Sequence, residues 1–504
     1  MTHAKKPTSN VRRDRAVGAV LASAAGDALG APHEFGPALS KDVKLEMTGG
    51  GTFGWAPGEW TDDTQTALAV LDPLSRGSVG ESVVPEVEVG LLAWMRSGPA
   101  DVGNQTRAVL GAALRKNQDL RQITAEWQAR HPEASGNGSL MRTGPVALST
   151  GSRADWAELS RDISALTHAS DDAIEACILW TDAIGRAIEG PVTAAGPVDW
   201  VGHVSVGLEL LDPDRRDIWA QRLGSCRTSK PESFTPNGYV VSALQAALST
   251  LAYTEVPARQ PCRHLRSAIE RAVRIGDDTD TVAAITGSLA GAWWGATALP
   301  LEWRRTLHGR MTYDAPNLVA SDLDRLARLA HTGGNNDPIG WPSVETLLPY
   351  YDSHFPASPI AAPLSDQITV GNVHALGGQL EKVDVVVSLC RMGRLDVPRT
   401  IEHQVIGLLD TRLEDNPNLG FLLADTADYL AQRADEGKRV FVHCVRAENR
   451  TPAVAAAYLV RATGVEPEVA IEEVFTRTHS RPQAFLAEGV SALSGLVRDD
   501  HGVR

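Results

Sequence analysis

Two short stretches gather more carboxylates than an ordinary helix start requires. Thr61-Asp62-Asp63-Thr64 leads into an apolar run, Gln65 to Leu74, and Asp277-Asp278-Thr279-Asp280-Thr281 leads into a small-residue run ending at Gly295. Adjacent acids repel, and placing them against a buried helix raises the cost. A divalent cation bound by hard oxygen ligands relieves both penalties. Neither stretch has a nearby Cys or a compact His cluster, so oxygen-only ligation suits Mg²⁺, Mn²⁺ or Ca²⁺ rather than zinc. Four carboxylates suffice for two ions that bridge and orient a substrate. Unrelated helix caps are the plain alternative. The recurrence of acids and hydroxyls before an apolar helix, about two hundred residues apart, favours metal.

A third stretch offers a different chemistry. Val440-Phe-Val-His443-Cys444-Val-Arg-Ala-Glu-Asn-Arg450-Thr451 reads as strand, tight loop and helix start. A cysteine there faces loop N–H groups and the positive end of a helix, which stabilises thiolate and also binds phosphate. Arg450, six residues on, is spaced to close a ring of bidentate contacts to phosphate oxygens. Thr451 is placed to hydrogen-bond the thiolate as it leaves a phosphocysteine. A buried core cysteine at a strand end is the ordinary alternative, and Cys390 is read that way. His443 before Cys444 and the Arg-Thr after it argue for chemistry.

The elements that must hold these groups follow from periodicity. Residues 15–30 form a small-residue helix in which Gly18, Ala22 and Gly26 recur every fourth position, so another helix can approach closely. Asp27 is the one charge inside its apolar run, and Glu34 follows in a Pro-containing turn. A Gly-rich loop over 49–60 enters the first acid cluster. Three-to-four apolar spacing predicts further helices over 86–97, 104–116, 155–167, 171–189, 202–211, 239–252, 263–273, 281–296 and 319–331. Residues 15–332 therefore read as one all-α domain, preceded by a disordered leader over 1–14. Gly333-Gly-Asn-Asn-Asp-Pro and the prolines at 342, 349, 356, 359 and 363 mark 333–366 as a linker. Beyond it, strands over 368–373, 383–390, 404–409 and 439–443 alternate with helices over 418–436, 451–463 and 467–478. That alternation predicts a parallel-type α/β domain over 367–504.

Bulk properties set limits. At 504 residues, 43% hydrophobic and 22% charged, the chain reads as a multidomain globular protein. A net charge of −14 argues against a nucleic-acid surface. Five widely spaced cysteines point to a reducing cytoplasm without a disulfide framework. The polar, basic N-terminus lacks the apolar core of a secretory signal, and no apolar run has membrane-spanning length. A cytoplasmic location is the expectation.

Six motifs in order resemble one family, the ADP-ribosylglycohydrolases, especially the bacterial enzymes that activate dinitrogenase reductase. They are Gly26-Asp-Ala-Leu-Gly30 with Glu34, Thr61-Asp-Asp-Thr64, Asn137-Gly-Ser-Leu-Met-Arg142, Thr167-His168, Asn237-Gly-Tyr-Val-Val241 and Gly276-Asp-Asp-Thr-Asp-Thr281. The resemblance implies an all-α fold with two Mg²⁺ or Mn²⁺ ions held by Thr61, Asp62, Asp63, Asp278, Asp280 and Thr281. Asp277 stands where many relatives have Gly and is not counted as a ligand. The implied reaction is hydrolysis of the N- or O-glycosidic bond at C1″ of ADP-ribose, on a modified protein or small molecule; ADP-ribosylated nucleic acid stays open. Glu34 is then a candidate for positioning or proton transfer. Asn137, Gly138 and Ser139 form a flexible loop whose N–H groups suit a pyrophosphate. Tyr239 is placed to stack on adenine or ribose, or to lie in the core. His168 orients the loop, and Asp101 is a further substrate contact.

Residues 365–490 look like protein tyrosine and dual-specificity phosphatases through the Cys-x5-Arg-Thr signature. The resemblance implies a general acid upstream, for which Asp410 is the first choice and Asp415 the second, and a phosphorylated substrate. His443 and Thr451 join Cys444 and Arg450 in its site. Ala447 replaces the usual Gly, and Glu448 puts an anion in a loop meant for a dianion. Two readings follow: a hydrolase fused to a cysteine phosphatase, or an ADP-ribose reader fused to a phosphate-binding pseudo-phosphatase.

Overall fold

The computed structural model describes residues 6–116, 118–191, 198–411 and 413–496. It divides into two compact units, one of residues 1–299 with 306–335, the other of 300–305 with 336–504.

The first unit is helical, and its centre is a backbone-to-backbone contact. The helix Ser9–Gly30 runs against Thr279–Trp294. A Cβ on Gly18 would lie 2.3 Å from Gly291 O, and one on Gly30 would lie 2.4 Å from the Asp280 Cα. The four-residue stripe of small side chains thus has its partner helix, and the contact sets Asp280 directly against the end of the first helix. The helix Asp62–Ser75 brings the other acid cluster to the same place. One two-stranded ribbon, β1 (His308–Gly309) with β2 (Leu318–Val319), departs from the all-α expectation.

Besides the single turn Leu140–Thr143, two longer helices of this unit escaped the periodicity, Leu120–Arg130 and Pro213–Ser225. The latter buries only Trp219 and Leu223, too few apolar positions to register. Residues 9–14 of the leader expected over 1–14 belong to the first helix, which starts at Ser9 and is capped by the Thr8 hydroxyl; residues 1–5 lie outside the described residues.

The second unit is a five-stranded α/β sheet. Its strands are β3 (Ala361–Pro363), β4 (Ile368–Asn372), β5 (Val385–Ser388), β6 (Glu402–Val405) and β7 (Val440–Cys444), in the order β3-β4-β7-β5-β6. Four are parallel and β3 adds antiparallel at one edge. The central strands β5 and β7 are buried throughout, as parallel strands covered on both faces must be.

The linker reading of 333–366 is corrected here. Residues from 336 onward belong to the second unit, with a helix at Leu348–His354, strand β3, and buried Leu347 and Tyr351. Two of its prolines sit at a helix start (Pro349) and on an edge strand (Pro363), positions that need no N–H donor. The third strand lies at 402–405 rather than 404–409, because Ile406 and Leu408 enter the core from a loop.

Candidate functional site

Neither cluster's N-cap residue caps its helix, although Asp280 Oδ1 accepts the Thr281 N–H at 2.9 Å. Thr61 and Asp278 hold the N-cap positions, yet neither side chain accepts an N-terminal N–H. The capping alternative therefore does not account for them. The Thr61 N–H (2.9 Å) and hydroxyl (2.8 Å) both donate to Asp27 Oδ1, while the Thr64 N–H (3.0 Å) and hydroxyl (2.6 Å) donate to Oδ2. Asp27 is the residue that sequence reasoning passed over. Its signal was present: one carboxylate in an otherwise apolar, small-residue helix. By taking the hydroxyl proton of Thr61 it leaves that oxygen's lone pairs free.

Around it the acids converge. Asp27, Asp63 and Asp280 bring carboxylate oxygens within 4.8 Å of one another, and so do Glu34, Asp101 and Asp280. Asp280 belongs to both groups. Thr281 donates its hydroxyl to Asp63 Oδ2 (3.2 Å), and Asp62 lies close enough to feel the Asp101 and Asp278 charges. Asn137 fixes Asp278 from the side, its Nδ2 donating to Oδ2 at 2.8 Å, and Asn237 Oδ1 accepts the Asp278 N–H at 2.9 Å. Burial and mutual repulsion push Asp62, Asp63 and Asp280 well above the usual carboxylate range. Glu34, half-buried and hydrogen-bonded to Asp101, is pushed up to about 10 by burial and the same neighbours.

The residues present fit a hard divalent ion. Asp63 Oδ1 and Glu34 Oε2 are buried acceptors without a donor, and the surrounding set is carboxylate and hydroxyl oxygen, the ligand chemistry of Mg²⁺, Mn²⁺ or Ca²⁺.

Asp277 has a different task. It sits at φ 65°, a left-handed conformation that explains a preference for Gly there. Its carboxylate accepts the Asn237 N–H (3.2 Å) and its backbone pairs with Gly36.

One expectation about the substrate loop needs correction. The loop at Asn137 is not flexible: Asn137 is buried and bonded to Gly238 O, Asn237 O and Asp278. Ser139 is fully buried and its hydroxyl accepts from Ser164 (2.9 Å), so its side chain is turned into the core. Gly138 lies against His168, where a Cβ would stand 3.1 Å from Cε1. Tyr239 is 38% exposed, with its hydroxyl on Asp172 (2.5 Å), which places it at the surface rather than in the core.

In the second unit, Cys444 ends β7 and the helix Arg450–Thr463 begins six residues later. The Ala447 N–H donates to the Cys444 sulfur at 3.2 Å. Ala447 holds φ 59°, so the loop closes around the sulfur despite the missing glycine, at a strain of about 1 kcal/mol. The Glu448 side chain is 67% exposed and faces Arg446, so its charge does not enter the loop. Arg450 donates to Leu389 O, and its buried Nε lies 3.7 Å from Asp410 Oδ2, with Asn449 bonded to the other Asp410 oxygen. The structure thus brings Asp410 to the loop; Asp415 lies in a separate turn, Leu413–Asp415.

His443 and Thr451 stand elsewhere than expected. His443 is fully buried beneath the sheet end, hydrogen-bonded through Nε2 to Ser388 Oγ (2.8 Å), and burial pushes it down to about 3. Alternation along β7 turns it to the face opposite Cys444. The Thr451 hydroxyl donates to Gly371 O (3.2 Å), not to the sulfur. Cys390 is buried and pushed up to about 12 by burial, as a core thiol is.

Fold and site together define a helical protein built around an oxygen-only acid centre. Residues 8–338 match the model of the ADP-ribosylglycohydrolase family, and the chain belongs to that family. It is 33% identical over 301 residues to the ADP-ribosylarginine hydrolase Tri1 of Pseudomonas putida, covering 58% of this chain and 73% of that protein. It is 29% identical over 322 residues to the ADP-ribosyl-[dinitrogen reductase] glycohydrolase of Rhodospirillum rubrum, covering 63% and 97%. A solved ADP-ribosylglycohydrolase-related protein complex aligns with 64% of this chain and 99% of its own, at TM-score 0.49 and 27% identity. Human DUSP28 aligns with 28% of this chain and 98% of its own, at TM-score 0.25 and 20% identity. No helix among the described residues is long and apolar enough to cross a membrane.

Proposed function

We propose that the chain is a divalent-cation-dependent hydrolase that cleaves the glycosidic bond between ADP-ribose and a modified acceptor. The observation that carries this reading is Asp280 at the junction of two acid groups, beside the donorless Asp63 Oδ1 and Glu34 Oε2. Thr61, Asp62, Asp63, Asp278, Asp280 and Thr281 would hold two Mg²⁺ or Mn²⁺ ions. When bound, such ions supply an electrophile for developing charge and a more acidic water.

The chain's own groups do the rest. Asp27 aims the Thr61 hydroxyl oxygen and Asn137 holds Asp278. Glu34 shares a hydrogen bond with Asp101, and near a sugar it is placed to orient a hydroxyl or relay a proton. Gly138 and His168 line the phosphate side, and Tyr239 the outer rim. The activities that name the Pseudomonas and Rhodospirillum relatives support an ADP-ribosylated arginine or protein as acceptor, with a small molecule as the alternative.

The second unit is assigned a phosphate-monoester site. In the active reading the Cys444 thiolate attacks phosphorus, Arg450 binds the equatorial oxygens, and Asp410 gives its proton to the leaving oxygen. Water then releases phosphate from cysteine. One observation favours the quieter reading, phosphate binding without turnover: Asp410 is tied to both Asn449 and Arg450.

The deciding experiment assays the full chain, with Mg²⁺ or Mn²⁺, on a panel of ADP-ribosylated peptides, with D278A/D280A as control. Loss of ADP-ribose release in that variant, with the fold intact by circular dichroism, is expected. Unchanged turnover would sink the metal assignment. Tight ADP-ribose binding by the wild type, with no cation-dependent turnover, would make the protein a reader instead.

A further inference from the structure

Arg142 is a buried cation with no carboxylate partner among the described residues. It is 0% exposed, and its guanidinium donates to Gly138 O (2.9 Å), Ile163 O (3.3 Å) and Thr167 Oγ1 (2.5 Å). Its Nε has no acceptor at all. An uncompensated charge in the interior costs several kcal/mol, and one retained there needs a reason. Burial lowers it only to about 10, so it stays charged near neutral pH.

The hydrogen bonds around it settle the state of His168. Thr167 is fully buried, and its hydroxyl meets Arg142 Nη2, which only donates, and His168 Nδ1 at 2.7 Å. The hydroxyl proton therefore goes to Nδ1. Burial and the Arg142 charge keep the ring neutral, pushed down to about 3. A neutral imidazole accepting at Nδ1 carries its proton on Nε2. That nitrogen points at Gly136 and Gly138, where added Cβ atoms would lie 3.5 and 3.4 Å away.

We propose that Arg142 is a positioning residue for an anionic nucleotide: it fixes the Gly138 carbonyl, locks His168 as an Nε2–H donor, and lends its charge to a bound diphosphate. The inference rests on the ADP-ribose reading, but its readout is binding, not turnover. Calorimetry on the full-length protein compares ADP-ribose, adenosine and Mn²⁺ as probes. Arg142→Met should weaken ADP-ribose roughly tenfold to a hundredfold, the value of hydrogen bonds to a charged group. It should leave adenosine and Mn²⁺ affinities unchanged. Arg142→Lys, which keeps the charge and loses the fork, should fall between. Thr167→Val leaves the guanidinium in place and should still weaken ADP-ribose, through His168 alone.

Equal losses for ADP-ribose and adenosine would reduce Arg142 to a packing residue and overturn the proposal. If Arg142→Met does not fold, unchanged ADP-ribose affinity in both Arg142→Lys and Thr167→Val overturns it too. Wild-type ADP-ribose binding without hydrolysis would remove the hydrolase reading and leave this one standing.

Discussion

The two candidate sites are electrostatic opposites. The helical unit crowds Asp27, Asp62, Asp63 and Asp280 into a buried volume with Asp278 half-buried beside them, and burial together with the neighbouring charges raises Asp63 and Asp280. The α/β unit places a loop N–H on the Cys444 sulfur, sets Arg450 beside Asp410 at the same loop, and turns the loop anion Glu448 to solvent. The first is arranged to receive a cation and the second an anion. Site chemistry is set less by the reactive residue than by the sign of charge left unbalanced around it.

The largest effect that would test this contrast is a double dissociation. Asp280→Ala should abolish Mn²⁺ binding and lower ADP-ribose release by roughly a thousandfold or more, while raising the melting temperature of metal-free protein, because a repelling charge is gone. Cys444→Ser should abolish p-nitrophenyl phosphate turnover and leave ADP-ribose release intact. A metal-free Asp280→Ala protein that melts lower than wild type would contradict the crowding argument.

A smaller loss is expected one layer out. Asp27→Asn replaces one acceptor oxygen by a donor, so the Thr61 hydroxyl is no longer aimed. Mn²⁺ affinity by calorimetry should fall roughly tenfold to a hundredfold, the usual cost of disturbing a group that orients a ligand.

Acid should act on the second unit through its histidines. His443 and His403 are pushed down to about 3 and about 4 by burial, below the ordinary value near 6.5. The unfolded chain therefore binds protons first as pH falls. Stability from these groups is full above about pH 6.5 and is lost as pH drops towards the folded values, on the order of 1 kcal/mol for each pH step crossed. The hydrogen-exchange protection factors of Val440–Cys444, which divide out the slower intrinsic exchange in acid, should fall as the solution is taken from neutral to mildly acidic, and His443→Asn should flatten that slope.

The smallest effect concerns Ala447. Its φ of 59° suits glycine, so Ala447→Gly should stabilise the unit by about 1 kcal/mol in denaturant titration. A destabilised variant would mean that the methyl packs usefully at the loop.

Both acid clusters, the Cys444 loop and the small-residue stripe were legible in the chain because each is local: a few residues, or a period of four. The same locality kept Asp27 and Arg142 out of view. Asp27 matters through Thr61 and Thr64, 34 and 37 positions away, and Arg142 through Thr167, 25 positions on. Hydrogen bonds across such distances leave no mark in periodicity. Burial was equally hidden. It turned His443 inward to Ser388 and Ser139 into the core, whereas the family resemblances placed both in a substrate site. The prolines of 336–366 were misread for a related reason: proline forbids an N–H donor, and an edge strand or a first helical turn does not need one.

The sequence by itself determined where groups able to do chemistry gather, since acid density, the Cys-to-Arg spacing and helical period are properties of neighbours along the chain. Only the tertiary structure decided that the two acid clusters meet. That meeting depends on Gly18, Gly26 and Gly30 letting one helix touch another at backbone distance, which sets Asp280 beside Asp63.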